Sequence, residues 1–163
     1  MTISSPVTEL LEQHNMAFEV IEIPLSDDKK PIRNLEELLT EQGKDPQSVV
    51  RSVVFKTGSG KFALLAAPGG ARADWGVLRK HLGEKKARMA EFDEVPEQTG
   101  YVVGAVPPIA LPDELTVLVD TSIDDYQDVI IGSGVLGFAL SLKQTDLMTL
   151  LADADKGVFV KTD

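Results

Sequence analysis

The sequence predicts an α+β fold built on a mixed, mostly antiparallel β-sheet with flanking helices. Short apolar segments rich in β-branched residues dominate the chain, and glycine, proline or polar residues bound them. Helical segments fall between these strands at irregular spacing, which is unlike the regular alternation of a parallel α/β fold. Because no repeat or linker divides the sequence, we expect a single domain over residues 1–163.

The expected elements follow from periodicity and from turn residues. Alternating or continuous apolar runs predict strands at 18–23, 49–56, 61–67, 116–120, 128–131, 137–142 and 157–162. Helical spacing of apolar residues predicts helices near 5–14, 34–43, 74–83, 91–99 and 145–153. Asn34, Asp74 and Thr145 are the expected N-caps, with Asn34 in a capping-box pattern, and Gly43 and Gly83 are expected to end their helices.

Composition excludes several classes of function. The 26 acidic and 16 basic residues give a formal net charge of −10, which disfavours tight non-specific nucleic-acid binding but permits brief contact through a local patch. The absence of cysteine excludes disulfides and thiolate sites. His14 and His81 lack a partner at metal-ligand spacing, so we expect neither a metal nor a cofactor. No apolar run or signal peptide indicates a membrane, so we expect a cytoplasmic protein.

Two glycine-rich segments resemble phosphate-binding motifs without meeting their requirements. Residues 132–137 match G-x-G-x-x-G, but the segment that follows alternates as a strand and provides no helix N-terminus for a pyrophosphate. Residues 58–61 resemble the end of a P-loop, but Phe55 replaces its first glycine and Phe62 its magnesium-binding hydroxyl. A hairpin turn explains the second segment better.

Two other features are candidates for function. The glycines and prolines of residues 100–108 can hold backbone N–H groups rigidly toward a small polar ligand, although a plain connecting loop would have the same composition. Arg51 lies in the middle of a strand and shares a face with Val49, Val53 and Phe55. A cation in this position requires a structural carboxylate, a cluster of carbonyl groups or a bound anion.

The sequence resembles the YbaK family, which includes the prolyl-tRNA editing proteins. The resemblance extends over nearly the whole chain, through residues 6–24, 49–56, 78–90, 99–108, 117–123 and 132–147. It implies a barrel-like mixed sheet and hydrolysis, in trans, of the aminoacyl ester at the 3′ end of a mischarged tRNA. The implied partner is that 3′ end, bound transiently.

The resemblance also implies which residues form the site. In the family a strand lysine and a G-x-x-x-P loop line the pocket, and here Arg51 replaces the lysine while Gly104 begins the loop. Arg51 and Gly104 are therefore the implied catalytic residues. The implied substrate-binding residues are Ser52, Ala105, Val106, Pro107, Pro108, Gly132, Ser133 and Gly134.

Three positions depart from the family pattern, because Arg51 replaces the lysine, Gly132 a frequent serine and Ala139 an acidic residue of several members. Arginine keeps the positive charge but cannot deprotonate to act as a base. Two functions remain open on these grounds. The first is an aminoacyl-tRNA deacylase acting in trans, and the alternative is a catalytically inactive small-ligand or protein-binding module that keeps the pocket.

Overall fold

The computed structural model describes residues 3–30, 32 and 34–161. Its helices are α1 (Pro6–Gln13), α2 (Leu35–Glu41), α3 (Trp75–Leu82), α4 (Glu94–Thr99) and α5 (Gln144–Leu150). Its strands are β1 (Phe18–Glu22), β2 (Val50–Thr57), β3 (Phe62–Pro68), β4 (Ala87–Met89), β5 (Thr116–Asp120), β6 (Asp128–Gly132), β7 (Phe138–Lys143) and β8 (Asp155–Gly157). The longest helices in the described part of the chain have eight residues, too few to span a bilayer.

The strands form two sheets that meet along one line. The first has the order β1-β7-β6 and is antiparallel throughout. The second has the order β4-β2-β3-β5-β8, in which β5 runs parallel to both of its neighbours and the other pairs are antiparallel. A bridge joins the two sheets between Val49, the residue before β2, and Ile130 of β6. The predicted α+β class with a mixed, mostly antiparallel sheet is confirmed.

Apolar side chains are buried on both faces of the larger sheet. On one face Val50 and Val54 of β2 belong to the main core, together with buried residues of β6, β7 and α5. On the other face Phe55 packs with Leu78 of α3 and with Phe159 near the end of the chain. This alternation along β2 follows from the two-residue period of a strand.

Several predicted helix ends are confirmed. The side chain of Asn34 accepts a hydrogen bond from the backbone N–H of Glu36 at 2.7 Å, and Gly43 follows α2 with a φ of +74°. The side chain of Asp74 caps α3 by accepting a hydrogen bond from the backbone N–H of Val77, and Gly83 ends that helix in the left-handed conformation. Such a φ angle is tolerated by glycine because it has no Cβ atom.

The predictions at the C-terminal end of the chain were partly wrong. Thr145 lies inside the first turn of α5, and Lys143 is the N-cap without a side-chain hydrogen bond. The strand predicted at 157–162 is replaced by the shorter and earlier β8, because regular pairing ends at Gly157 and Val160 forms a single bridge with Ala73. Thr162 lies outside the described residues.

Candidate active site

A cavity of about 540 Å³ lies where β2 approaches β6, at the junction of the two sheets. Most of its lining is apolar and comes from β2, β6, the start of β7, the segment around α4 and the loop before β5, with contributions from the ends of β1 and α2. The apolar lining residues include Ile23, Leu35, Val54, Val95, Ile131 and Phe138. A volume of this size falls within the range of pockets for small ligands. The cavity is open to solvent, so a ligand can enter without unfolding the surrounding strands.

Arg51 and Gly104 both line this cavity, one from β2 and the other from the glycine–proline loop. The Arg51 side chain is exposed and forms no hydrogen bond or ion pair with any described residue. The structural carboxylate considered for it is therefore not found in the described part of the chain. Its guanidinium remains available for an anionic or polar ligand at the cavity mouth.

The glycine–proline loop is folded against the segment that follows β6. The Ala105 N–H donates to the Val102 carbonyl at 3.0 Å, and the Gly134 N–H donates to the Ala105 carbonyl at 2.9 Å. Gly104 sits between these bonds with a φ of +97°. The loop is consequently held at both ends while its central residues face the cavity.

Two backbone donors of the loop remain free. Within the described residues the N–H groups of Gly104 and Val106 have no hydrogen-bond acceptor, and both residues line the cavity. Preorganised N–H groups of this kind can stabilise negative charge that develops on a substrate oxygen. The Ala105 N–H, in contrast, is already engaged in the turn.

Gly132 lets the loop come close to β6. A Cβ atom at this position would lie 2.4 Å from the Val106 carbonyl oxygen and 3.0 Å from that of Ala105. No side chain, including the serine that the family resemblance implies here, fits between the strand and the loop in this arrangement. The position of the loop therefore depends on glycine at this point.

The structure brings five of the ten sequence-predicted site residues together around the cavity: Arg51, Ser52, Gly104, Val106 and Gly132. The Ser52 Oγ is buried in the cavity wall and has no hydrogen-bond partner among the described residues. Leaving a buried hydroxyl without a partner is unfavourable, so Ser52 is a candidate to bind a polar group of a ligand.

The other five predicted residues do not line the cavity. Ala105, Pro107 and Ser133 are buried, and the Ser133 hydroxyl lies within hydrogen-bond distance of the Val135 and Phe138 carbonyl oxygens, at 2.9 and 2.8 Å. Gly134 accommodates the ring of Tyr101. Pro108 faces a different cavity on the other side of the loop.

Comparison with known proteins identifies the family. A family model described as "Aminoacyl-tRNA editing domain" matches residues 29–150, about three quarters of the chain. This chain belongs to the aminoacyl-tRNA editing domain family. A proline–tRNA ligase of Trichlorobacter lovleyi is 30% identical over 106 residues, covering 65% of this chain and 18% of the ligase. A multifunctional Ser/Thr-tRNA deacylase of Escherichia coli strain K12, ProXp-y, is 32% identical over 90 residues, covering 55% of this chain and 53% of the deacylase.

Solved structures share the same fold. The hypothetical protein APE2540 superposes with a TM-score of 0.80 at 24% identity, over 96% of this chain and all of that protein. A candidate trans-editing enzyme for prolyl tRNA synthetase gives 0.76 at 24% identity, over 99% of this chain and all of that one. The alignments to the sequence relatives above span only about a fifth of the ligase and about half of the deacylase.

The cavity of this editing domain has no acidic or basic catalyst among its described side chains, because none of those lining it is Asp, Glu or His. Nearby, Arg88 donates two hydrogen bonds to Glu94, and the backbone N–H of Glu91 donates another. These bonds lower the pKa of the Glu94 carboxyl to about 2. Glu94 is therefore ionised at neutral pH and is too weak a base to activate water.

A group of basic residues lies at the far end of β2. Lys56, Arg79, Lys85, Lys86 and Arg88 surround a hollow of about 480 Å³, and we call them the basic patch. Lys56 and Arg88 pair with Glu94, whereas the other three form no ion pair within the described chain. Lys56 follows Arg51 by five residues, a distance of about 16 Å along a strand. The net charge of the chain did not reveal this local concentration.

Proposed function

We propose that this chain acts in trans as a cytoplasmic aminoacyl-tRNA deacylase that hydrolyses the ester of mischarged tRNA. The observation that carries the proposal is that Arg51 and Gly104 border one solvent-accessible cavity in a member of the editing domain family. The name of the E. coli relative, a Ser/Thr-tRNA deacylase, supports the same chemistry.

In this mechanism the aminoacyl group enters the apolar cavity and the terminal adenosine stays at its mouth. Water attacks the carbonyl carbon, the ester C–O bond breaks, and the leaving ribose oxygen takes up the proton. The N–H groups of Gly104 and Val106 donate to the oxyanion that develops during attack. Arg51 binds the ribose or phosphate of the substrate and so fixes the ester near these donors.

The water must be activated by the substrate itself, because no described side chain in the cavity is a suitable base. A free hydroxyl of the terminal ribose is adjacent to the ester and can relay the proton. This role accounts for the tolerance of arginine at position 51, since the cation then positions the substrate and transfers no proton.

The basic patch supports a tRNA substrate despite the overall charge of −10. Binding to a phosphate backbone depends on local cations and on the counterions that they displace, and distant acidic residues are largely screened at physiological salt. With the patch on one side and Arg51 on the other, a tRNA can be held both by its stem and by its acylated end.

Deacylation of a panel of mischarged tRNAs tests the proposal. We expect Arg51→Ala to lower kcat/KM by about 10- to 100-fold, as for loss of one charge-assisted contact. Lys143→Ala, which removes an exposed cation that does not line the cavity, should leave kcat/KM unchanged. Absence of turnover above buffer with every substrate contradicts a deacylase. Thermal stabilisation by non-hydrolysable aminoacyl-adenosine without any turnover would instead identify a binding module.

A further inference from the structure

A cavity of about 380 Å³ lies on the opposite side of β2 from the 540 Å³ cavity that Arg51 and Gly104 line, which we call the active-site cavity. We call it the rear cavity. It is lined by apolar residues of β2 and β3, by Trp75, and by three cationic side chains, those of Arg51, Arg72 and Lys161. None of its described lining residues is acidic, although acidic residues outnumber basic ones in the whole chain by 26 to 16.

The three cations have no side-chain partner among the described residues, and the backbones of Arg72 and Lys161 are joined to each other. None of the side chains of Arg51, Arg72 and Lys161 forms a hydrogen bond or ion pair with a described residue. The Lys161 N–H donates to the Arg72 carbonyl at 2.8 Å, next to the bridge between Ala73 and Val160. Because all three line one cavity and the described residues supply no counterion, an anion bound there is stabilised by their combined positive potential.

The rear cavity adjoins the active-site cavity directly. Arg51, Val53 and Met89 line both, so that a ligand anchored in one cavity can extend past Arg51 into the other. The guanidinium lies beside Gly70, where a Cβ atom would be 4.0 Å from its terminal nitrogen, an ordinary contact. Arg51 is therefore the link between the two cavities.

A third hollow beside Arg51 offers an alternative path but has a different charge. Its lining includes Glu36 together with Asn34 and Gln47, and its only cation is Arg51 among the described lining residues. A polyanion leaving the active site is attracted to the side with three cations and repelled by the carboxylate on the other.

We infer that the rear cavity binds a phosphodiester of the single-stranded 3′ end of the substrate tRNA, next to the esterified nucleotide. This inference rests on the proposed function for the identity of the strand, and on charge and position for the site. The half-buried indole of Trp75 provides an apolar wall against which a base or ribose can pack.

Trp75 also supplies a direct measurement, because it is the single tryptophan of the chain. CpCpA without an aminoacyl group, which carries two phosphodiesters, should change the fluorescence of Trp75 saturably. Calorimetry should give the same Kd. Arg72→Gln and Lys161→Gln should each weaken binding of CpCpA by about tenfold. Each lost contact should also make the negative slope of log K against log salt shallower by about 0.7. Lys143→Gln should bind like the wild type.

Two further arms separate the sources of the anion. The affinity for adenosine, which has no phosphate, should be the same in Arg72→Gln and Lys161→Gln as in the wild type. Inorganic phosphate should bind much more weakly than CpCpA, and equal binding of the two would overturn a site for a nucleic-acid strand. Unchanged CpCpA affinity in both variants, with their folds intact by circular dichroism, would overturn the site altogether.

The two proposals fail in different ways. The CpCpA titration contains no ester, so it decides the rear cavity even for a chain without deacylase activity. If the chain does hydrolyse mischarged tRNA, Arg72→Gln should lower kcat/KM for aminoacyl-CpCpA but leave that for aminoacyl-adenosine unchanged. An equal loss with both substrates would contradict a phosphodiester site and leave the deacylase in place.

Discussion

Replacing Gly132 with alanine tests how the active-site loop is positioned. The added Cβ would lie 2.4 Å from the Val106 carbonyl oxygen, whereas ordinary contacts begin at 3.4 Å. The loop or the strand must therefore move by about 1 Å, and both are backbone, which yields less readily than a side chain. Overpacking of this kind destabilises a protein by about 1–3 kcal/mol. A displacement of about 1 Å at catalytic groups can reduce the rate by about 100-fold.

Urea denaturation and deacylation kinetics measure the two effects separately. Gly76→Ala is the matched control, because its Cβ would meet only ordinary contacts, the nearest at 3.5 Å, within α3. That change should stabilise the chain by up to about 1 kcal/mol and leave the rate unchanged. A Gly132→Ala variant with wild-type stability and wild-type rate would refute the close packing of loop and strand. Lost stability with an unchanged rate would refute the catalytic role of the loop.

Three further predictions concern single side chains. Ser52→Ala should change the unfolding free energy by less than about 1 kcal/mol, because the hydroxyl has no partner to lose, but should weaken aminoacyl-adenosine analogues in calorimetry. Glu94→Gln should lower the urea midpoint at neutral pH, because it removes the ion pair with Arg88. Arg88 lowers the pKa of Glu94 from 4.5 to about 2, so the stability that the pair contributes is lost as the pH falls through that range. The difference in urea midpoint between variant and wild type should therefore disappear between pH 4.5 and about 2. Tyr101→Phe should cost about 1 kcal/mol in the same assay, since its hydroxyl donates to a carbonyl at 2.7 Å; no loss contradicts this.

Local patterns predicted most of the fold because the determinants of these elements are themselves local. Asp74 and Gly83 mark the ends of α3 through side-chain capping and a positive φ, both of which depend on residue type. The three-residue β4 was not predicted, since its pairing with β2 depends on a partner about thirty residues earlier. The error at Thr145 has the same origin, because the Gln144 N–H is bound by the distant Gln127 carbonyl at 2.9 Å.

The site was predictable where residue type alone limits the chemistry. Arg51 was recognisable as a cation in an apolar strand, and Gly104 as part of a loop with restricted conformations. The sequence pattern did not separate Ala105 and Ser133, which are buried, from Gly132 and Val106, which line the cavity. That distinction depends on how two distant loops pack together, and no periodicity reports such packing.

The departures of this chain from its family at positions 51 and 132 are compatible with one mechanism. If the reaction relies on backbone donors, then it depends on the placement of the Gly104 N–H and tolerates a change of cation. The placement of that donor depends on contact between Val106 and Gly132, where a serine Cβ would meet the same carbonyl oxygen at 2.4 Å. A Gly132→Ser variant should therefore lose as much kcat/KM as Gly132→Ala, although serine is the residue that the family resemblance implies at this position. Recovery of activity by serine alone would mean that a hydroxyl, and not the fit of the loop, is what this position supplies.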